Sequence, residues 1–322
     1  MELTLREKIK YLVVCNLILC VTLVVTIRAS ETKNTYMRDQ WMFKKQSLRR
    51  YEGILRSKGF DVNDVEDIKR AAIEGKSYVR DSALVLLAYK SGTESIPVIK
   101  NSLKYKSTYY EVRCKAATLL GILGDKSGLD KMRKDMAEFS KDDETLEKER
   151  KDGKINPEYE PDLKKKYSLR LRYALLAANV LADFGDCSGY ELAARQAIES
   201  ESGQVRNEAN RALASMLKFS GTELKAKGLF PEDVLLAAAE KETDSRILYF
   251  LNSYLSSISS KDILSDKLLK VQDKIVNSPH LSEKDREHIE RVIRGRERKR
   301  QYLEMMKEKE DKKKSDDSKN KK

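Results

Sequence analysis

Apolar residues recur every three or four positions through the middle of this chain, which is the spacing of amphipathic helices. The segment Val112–Asp125, VRCKAATLLGILGD, shows it most clearly, because its apolar positions fall on one side of a helix. A Gly-Asp pair ends the segment and a second amphipathic stretch follows. Only 14 Gly and 5 Pro occur in 322 residues, and 36% of residues are charged, which favours long helices. The pattern therefore predicts an all-helical protein.

The same helical segment occurs four times. Gapless copies begin at Val79, Val112, Tyr173 and Val205, so the successive offsets in residue number are 33, 61 and 32. Each copy has an alanine at one position and a leucine four positions later: Ala83, Ala116, Ala177 and Ala209, followed by Leu87, Leu120, Leu181 and Leu213. A small residue lets a paired helix approach closely, while the leucine fills the layer between neighbouring pairs. We therefore expect helical pairs that stack along the chain.

The offset of 61 is the exception in this series, since it equals one repeat of 33 plus 28. Residues 141–166 form a stretch of about that length that is almost wholly polar and contains Pro157 and Pro161. Proline breaks helices and marks connections. We interpret this stretch as a charged insertion that forms a loop.

The Val112–Asp125 copy resembles the first helix of HEAT-type repeats, in the short subgroup also seen in phycobilisome-lyase-like proteins. That helix typically runs V-R-x-x-A-A-x-x-L-G-x-L-G-D, and this copy matches at nearly every place. The other copies are degenerate, since Ala174 stands where the arginine is expected and Lys90 replaces the second leucine. The resemblance covers residues 79–218. It implies an α-solenoid of HEAT-like helical hairpins, and it implies no chemistry.

The N-terminus contains an uncharged apolar run at residues 11–27, with Arg6, Lys8 and Lys10 before it and Arg28 after it. A helix of that length spans roughly 25 Å, close to the hydrocarbon thickness of a bilayer. Three alternatives stay open: an uncleaved single-pass anchor, a cleavable signal peptide and a buried helix. No small-x-small cleavage site follows. We expect an anchor with the solenoid exported; the alternative is a secreted or periplasmic protein after cleavage.

These patterns predict five segments along the chain. They are an N-terminal anchor or signal peptide at 1–30, a linker or cap helix at 31–61, the HEAT-like solenoid at 62–278 with its insertion, a charged C-terminal helix at 279–306 and a disordered basic tail at 307–322. The tail is predicted to be disordered because its Lys, Asp and Ser residues bury too little apolar surface to order it.

The formal charge of +12 is unevenly spread. Residues 291–322 contain 14 Lys and Arg against 7 Asp and Glu, so the remainder of the chain is only mildly basic. The tail could contact nucleic acid or an anionic surface through counterion release, but its interleaved acids halve its charge. We therefore keep nucleic-acid binding as an alternative and do not expect sequence-specific recognition.

No catalytic constellation is visible in the sequence. His280 and His288 have no neighbouring cysteine or carboxylate cluster at metal-ligand spacing, and no phosphate-binding glycine loop occurs. Cys114, beside Arg113, is the best candidate for a nucleophile, yet no partner base is identifiable. We predict a non-enzymatic protein without cofactor, metal or small-molecule substrate.

The second helices of such repeats generally line the concave face of the array. A possible partner-binding face therefore consists of Lys100, Lys104, Lys131, Arg133 and Lys134. The predicted function is a membrane-tethered or exported scaffold that binds a protein partner. A lyase or lyase-accessory protein is the alternative that the repeat subgroup suggests.

Overall fold

Helices make up the regular structure of the described chain. The computed structural model describes residues 41–104, 110–152, 160–258 and 266–295, together with positions 298, 301–302 and 305–306. The helices are α1 (Lys45–Arg56), α2 (Val65–Glu74), α3 (Ser77–Ser91), α4 (Ile96–Ser102), α5 (Tyr110–Ile122), α6 (Ser127–Lys151), α7 (Glu160–Ala182), α8 (Tyr190–Glu199), α9 (Gly203–Ala226), α10 (Pro231–Lys241), α11 (Ser245–Ile258), α12 (Asp266–Val276) and α13 (283–295). Short 3-10 helices cover Trp41–Phe43 and Gly92–Ser95. The predicted all-α fold class is confirmed for these residues.

The chain divides into two units, Met1–Leu129 and Asp130–Lys322, and the division falls in the first turn of α6. In the first unit α3 contacts both α1 and α5, so these three helices form one row. A second row consists of α2 and α4, which contact each other as well as α3 and α5 respectively. The first unit is therefore built from two layers of helices.

The second unit repeats this two-layer arrangement. One row runs through α7, α9 and α11, in which α9 contacts both of the others. The other row runs through α8, α10 and α12, in which α10 contacts both of the others. Consecutive helices along the chain also pack together, as α9 does with α8 and with α10. Each helix of one row thus pairs with the next helix of the other row.

The repeat positions identified in the sequence lie in the cores of these units. All of them are 0% exposed: Ala83, Ala116, Ala177, Ala209, Leu87, Leu120, Leu181 and Leu213. Burying a leucine side chain contributes about 2 kcal/mol, while the alanines leave room for neighbouring helices. Equivalent sequence positions therefore have equivalent burial in both units.

The turns after α5 and α7 have the same backbone structure. Gly124 and Gly185 adopt φ angles of 83° and 81°, a region that favours glycine. The next amide then bonds back to the helix, from Asp125 to the carbonyl of Leu120 at 2.8 Å and from Asp186 to that of Leu181 at 3.1 Å. This is the pattern of a Schellman motif, which ends a helix.

A second glycine follows each of these turns and permits a close helix approach. A Cβ on Gly128 would lie 2.7 Å from the Cα atom of Ala117, and a Cβ on Gly189 would lie 2.6 Å from the Cβ atom of Ala178. Both separations are shorter than van der Waals contact. The small residues on either side therefore set the distance between the paired helices.

The charged insertion differs from the expected loop. α6 continues to Lys151 and α7 already begins at Glu160, so most of residues 141–166 are helical. Lys and Glu dominate residues 141–151 and are good helix formers, which explains the continuation. Residues 153–159, which include Pro157, lie outside the described residues. The extra residues thus lengthen two helices of the repeat.

α9 is also longer than its counterparts. It continues well beyond Leu213, whereas α3 and α5 end within about one turn of Leu87 and Leu120. The added part, residues 217–226, passes through Ser220 and Gly221 without interruption. Leu224 within it is 0% exposed, so burial of this side chain stabilises the extension.

The predictions for the two ends of the chain fall largely outside the described residues. The predicted anchor or signal peptide at 1–30, including the apolar run 11–27, and the predicted tail at 307–322 lie outside the described residues. Among the helices that are described, none is both long enough and apolar enough to cross a bilayer. α13 lies within the predicted C-terminal helix and is mostly exposed, apart from the buried Ile289.

Candidate functional site

The five residues of the predicted partner-binding face belong to both units. Lys100 lies on α4 and Lys104 lies just after its end, in the first unit. Lys131, Arg133 and Lys134 lie on α6, in the second unit. The face as a whole therefore stays a prediction.

Lys100 forms an ion pair with the turn that follows α5. Its Nζ atom is 2.7 Å from Oδ2 of Asp125, while the amide and hydroxyl of Ser127 donate to Oδ1 of the same carboxylate at 2.9 and 2.5 Å. The hydrogen bond from Lys100, followed by those from Ser127, lowers the pKa of Asp125 to about 2. Lys100 thus connects α4 to the end of the next repeat's first helix.

Arg133 makes the equivalent contact in the second unit. Its Nε atom donates to Oδ2 of Asp186 at 2.8 Å, and the amide of Ser188 donates to Oδ1 at 3.0 Å. Burial alone would raise the pKa of Asp186, but the hydrogen bonds from Ser188 and Arg133 outweigh it and lower the pKa. Arg133 also donates to Asp130 at 2.8 Å.

These two ion pairs occupy repeat-equivalent positions. Arg133 follows Lys100 by one repeat, and Asp186 follows Asp125 by one repeat plus the length of the insertion. Because the insertion lies between Arg133 and Asp186, these two residues are further apart in sequence than Lys100 and Asp125 are. An inter-repeat ion pair is therefore part of the repeat itself.

The other three residues of the predicted face differ in their contacts. Lys131 binds the buried carboxylate of Asp135 at 2.6 Å, and Lys104 donates to the amide oxygen of Asn101 at 3.4 Å. Lys134 is exposed. Lys104 and Lys134 are therefore the two of the five that are exposed and form no ion pair with another described residue.

An open cleft with a volume of about 670 Å³ lies in the second unit, beside the Asp186 turn. The turn contributes Phe184, Gly185, Asp186 and Cys187, α8 contributes its first residues, and the end of α9 contributes Glu223 and Lys227. The α8 residues are Tyr190 and Glu191, and Arg133, Ser188 and Leu229 complete the lining. The cleft includes the end of α9, so the extension of that helix helps to form it.

Cys187 places a half-buried thiol in this cleft. Its Sγ atom lies 3.8 Å from Oε1 of Glu223 and 3.9 Å from Nζ of Lys227, and those two side chains form a 2.6 Å ion pair. The hydrogen bond between them lowers the pKa of Glu223 and raises the pKa of Lys227. A thiol, an amine and a carboxylate therefore meet at one edge of the cleft.

Sequence reasoning selected Cys114 and missed Cys187. Cys114 is only 8% exposed, which gives no support to the lyase alternative. The available signal was the turn sequence: Asp186-Cys187-Ser188-Gly189 matches Asp125-Lys126-Ser127-Gly128, where Lys126 is exposed. A thiol at a position that the repeat exposes is more accessible than one on a core helix.

The remaining candidates for chemistry lie elsewhere. His280 and His288 are exposed, and the ring of His288 lies 5.7 Å from that of Tyr249. Within the described ranges, no group of three His, Cys, Asp or Glu side chains is positioned to hold a metal ion. The cleft around Cys187 is thus the place where reactive and charged groups come together in the second unit.

Comparison with known proteins finds no family model, curated protein or solved structure that matches this chain. The resemblance to HEAT-type repeats therefore stays a prediction from the sequence.

Proposed function

We propose that this chain is a non-enzymatic scaffold whose HEAT-like helical pairs form an α-solenoid that binds a protein partner. The observation that carries the proposal is the repetition of one packing scheme. Within each unit, alternate helices pack into rows, and the same alanine and leucine positions are buried. Repeat arrays of this kind present extended surfaces that suit macromolecules better than enclosed pockets suit small substrates.

The electrostatics of the cleft also favour binding over catalysis. Arg133 pairs with Asp186, and Lys227 pairs with Glu223. General acid and base groups need pKa values near the working pH, whereas these ion pairs lower the pKa values of both carboxylates. This arrangement supports a structural role for the charged residues.

For the location of the scaffold, we infer a single-pass membrane anchor at residues 11–27 with the helical array exported. The support is the uncharged run itself and the basic residues before it. Protease treatment of intact cells, followed by N-terminal sequencing of the mature chain, tests this location. Protection of the array would contradict export, and a new N-terminus near residue 30 would identify a secreted form.

The partner-binding face is tested by charge reversal. We expect Lys104→Glu and Lys134→Glu to reduce partner recovery at least tenfold when the full chain, in mild detergent, is crosslinked and isolated by a C-terminal tag. Lys241→Glu on α10 is the control, because it reverses an exposed charge outside the predicted face. Recovery of no partner by the unchanged chain would contradict the scaffold. Equal recovery by all variants would contradict this face alone.

A further inference from the structure

The backbones on both sides of the Cys187 thiol are held in place. The carbonyl of Cys187 accepts the Tyr190 amide at 3.0 Å, and Asp186 beside it accepts the Ser188 amide. Across the cleft, Lys227 caps α9, and its amide bonds to the carbonyl of Leu224 at 3.0 Å. The 3.9 Å contact between Sγ and Nζ thus joins two fixed points of the backbone.

Glu223 completes a group that can react after oxidation of the thiol. Its carboxylate contacts both Nζ of Lys227 and Sγ of Cys187, so it holds the lysine nitrogen beside the sulfur atom. A sulfenic acid is the first oxidation product of an accessible cysteine, and it condenses with nearby nucleophiles, including nitrogen. The nearby nitrogen nucleophile at this position is the lysine amine.

We propose that Cys187 and Lys227 form a reversible sulfenamide bridge, Sγ–Nζ, when the protein is oxidised by a hydroperoxide. In the first step the thiol takes one oxygen atom, giving Cys–SOH while the hydroperoxide is reduced to water or an alcohol. The ammonium group of Lys227 then releases a proton to water. The neutral amine attacks the sulfur atom, the S–O bond breaks, and water leaves with a proton from the nitrogen.

The bridge changes the cleft in two ways. It links the α7–α8 turn covalently to the end of α9, which are 40 residues apart in sequence. It also removes the positive charge of Lys227 and leaves Glu223 as an acidic group at the cleft edge. A thiol reductant reverses both changes by reducing the S–N bond. The cleft therefore has a reduced form with a balanced Lys–Glu pair and an oxidised form with a net negative edge.

The test is peptide mapping of the full chain after treatment with hydrogen peroxide. Tryptic digestion at neutral pH should yield a linked peptide pair joining Cys187 to Lys227, with a mass about 2 Da below that of the separate peptides. Cleavage after Lys227 should fall at least tenfold, and dithiothreitol should restore it. Lys225 is the internal control, because it is equally exposed, is paired with Glu232 and should still be cleaved.

Three variants separate this chemistry from ordinary oxidation. Lys227→Arg keeps the positive charge without the amine, and Cys187→Ser removes the thiol, so neither should give the linked pair. Glu223→Gln removes the hydrogen bond that holds the Lys227 proton, so the bridge should form at lower pH than in the unchanged chain. Helical circular dichroism confirms that each variant is folded. Oxidation of the buried Cys114 is the comparison for thiol reactivity.

Several outcomes would overturn the proposal. Sulfenic or sulfinic acid on Cys187 together with full cleavage after Lys227 would show that the amine does not capture the oxidised sulfur. A link about 14 Da heavier than the separate peptides would show an oxygen-bridged product and exclude the direct S–N bond. The same linked peptides in Lys227→Arg would show that another residue reacts.

Discussion

The turn after α5 in the first unit and the turn after α7 in the second unit have the same backbone geometry and the same kinds of contact. Each turn has a glycine with positive φ and a second glycine that packs against an alanine. Each also has an aspartate that accepts hydrogen bonds from a serine amide and from a lysine or arginine of an earlier helix. They differ at the position between the aspartate and the serine, where the first turn has the exposed Lys126 and the second has the half-buried Cys187. The shared parts hold helices together, and the proposed thiol chemistry depends on the residue that departs from the repeat.

The helices that carry the repeat positions show a second difference between the two units. In the second unit α9 extends well past its repeat position and brings Glu223 and Lys227 to the cleft. No corresponding extension occurs on α3 or α5, the first-row helices of the first unit that carry the repeat positions. The comparison indicates that the turns and buried positions shared by the repeats stabilise the fold. The candidate site depends on two features of a single repeat, which are Cys187 and the α9 extension.

The largest effect is expected from the glycines that the two turns share. Gly128→Ala and Gly189→Ala should each lower the free energy of unfolding by about 3 kcal/mol, because the added methyl group overlaps a neighbouring helix. Urea denaturation measures both losses. Gly53→Ala is the control, since its methyl group meets no atom within 4 Å and an exposed helical position should gain about 0.7 kcal/mol. Neutral effects at Gly128 and Gly189 would show that the helices separate easily.

Asp81 offers a pH test of a feature confined to the first unit. The equivalent residues in the other copies are Cys114, Leu175 and Asn207. Burial raises the pKa of Asp81 to about 6, an effect that Lys115 partly opposes and Glu111 adds to. The pKa of an aspartate in the unfolded chain is lower, so the contribution of Asp81 to stability should be fully present below about pH 4 and be lost as the pH rises through about 6.

Asp81→Asn should remove that dependence and raise the free energy of unfolding at pH 7 by about 1 to 2 kcal/mol. The measurement is urea denaturation between pH 4 and pH 8. Glu66→Gln is the control, because its side chain is highly exposed. A variant that is no more stable than the unchanged chain at pH 7 would mean that the Asp81 carboxylate is well solvated.

The two inter-repeat ion pairs should contribute similar, smaller amounts. Lys100→Met and Arg133→Met should each cost about 1 kcal/mol, because partly exposed pairs are screened by water. The lowered pKa values of Asp125 and Asp186 mean that this contribution is present at neutral pH and is lost as the pH falls below about 4. Double-mutant cycles with Asp125→Asn and Asp186→Asn measure the coupling. Zero coupling in one pair alone would break the equivalence of the two turns.

The smallest effect concerns the α9 extension. Gly221→Ala places a methyl group in ordinary contact with Leu217 and should stabilise the helix by about 0.5 to 1 kcal/mol. Amide hydrogen exchange in residues 217–226 should slow accordingly, while exchange in α3 stays unchanged. Faster exchange in this segment would indicate that the glycine is needed for the extension.

The sequence predicted the parts of the fold that depend on periodicity. The four alanine and leucine positions follow from spacing alone, and their burial agrees with it. The α9 extension was not predicted, because Ser220-Gly221-Thr222 has the composition of a helix end. Met216, Ser220 and Leu224 nonetheless continue a helical stripe and are buried, so tertiary contacts outweigh local propensity there.

The candidate site was less predictable than the fold. Lys100 and Arg133 were selected from the sequence as part of a partner-binding face, which stays a prediction. The aspartates that pair with them lie far from them in sequence, in the turn of the following repeat. Spacing does not reveal such partners until the repeats are aligned. Cys187 was missed for a similar reason, since its surroundings come from the end of α9.

The long α6 and α7 helices show that this repeat accepts extra chain without losing its pattern. Arg133 still reaches Asp186 although the insertion separates them, just as Lys100 reaches Asp125 across an uninterrupted repeat. The connection between α6 and α7 is therefore a suitable place to fuse a fluorescent protein or an affinity tag. Such a fusion would report on the location of the array while the neighbouring helical pairs keep their native spacing.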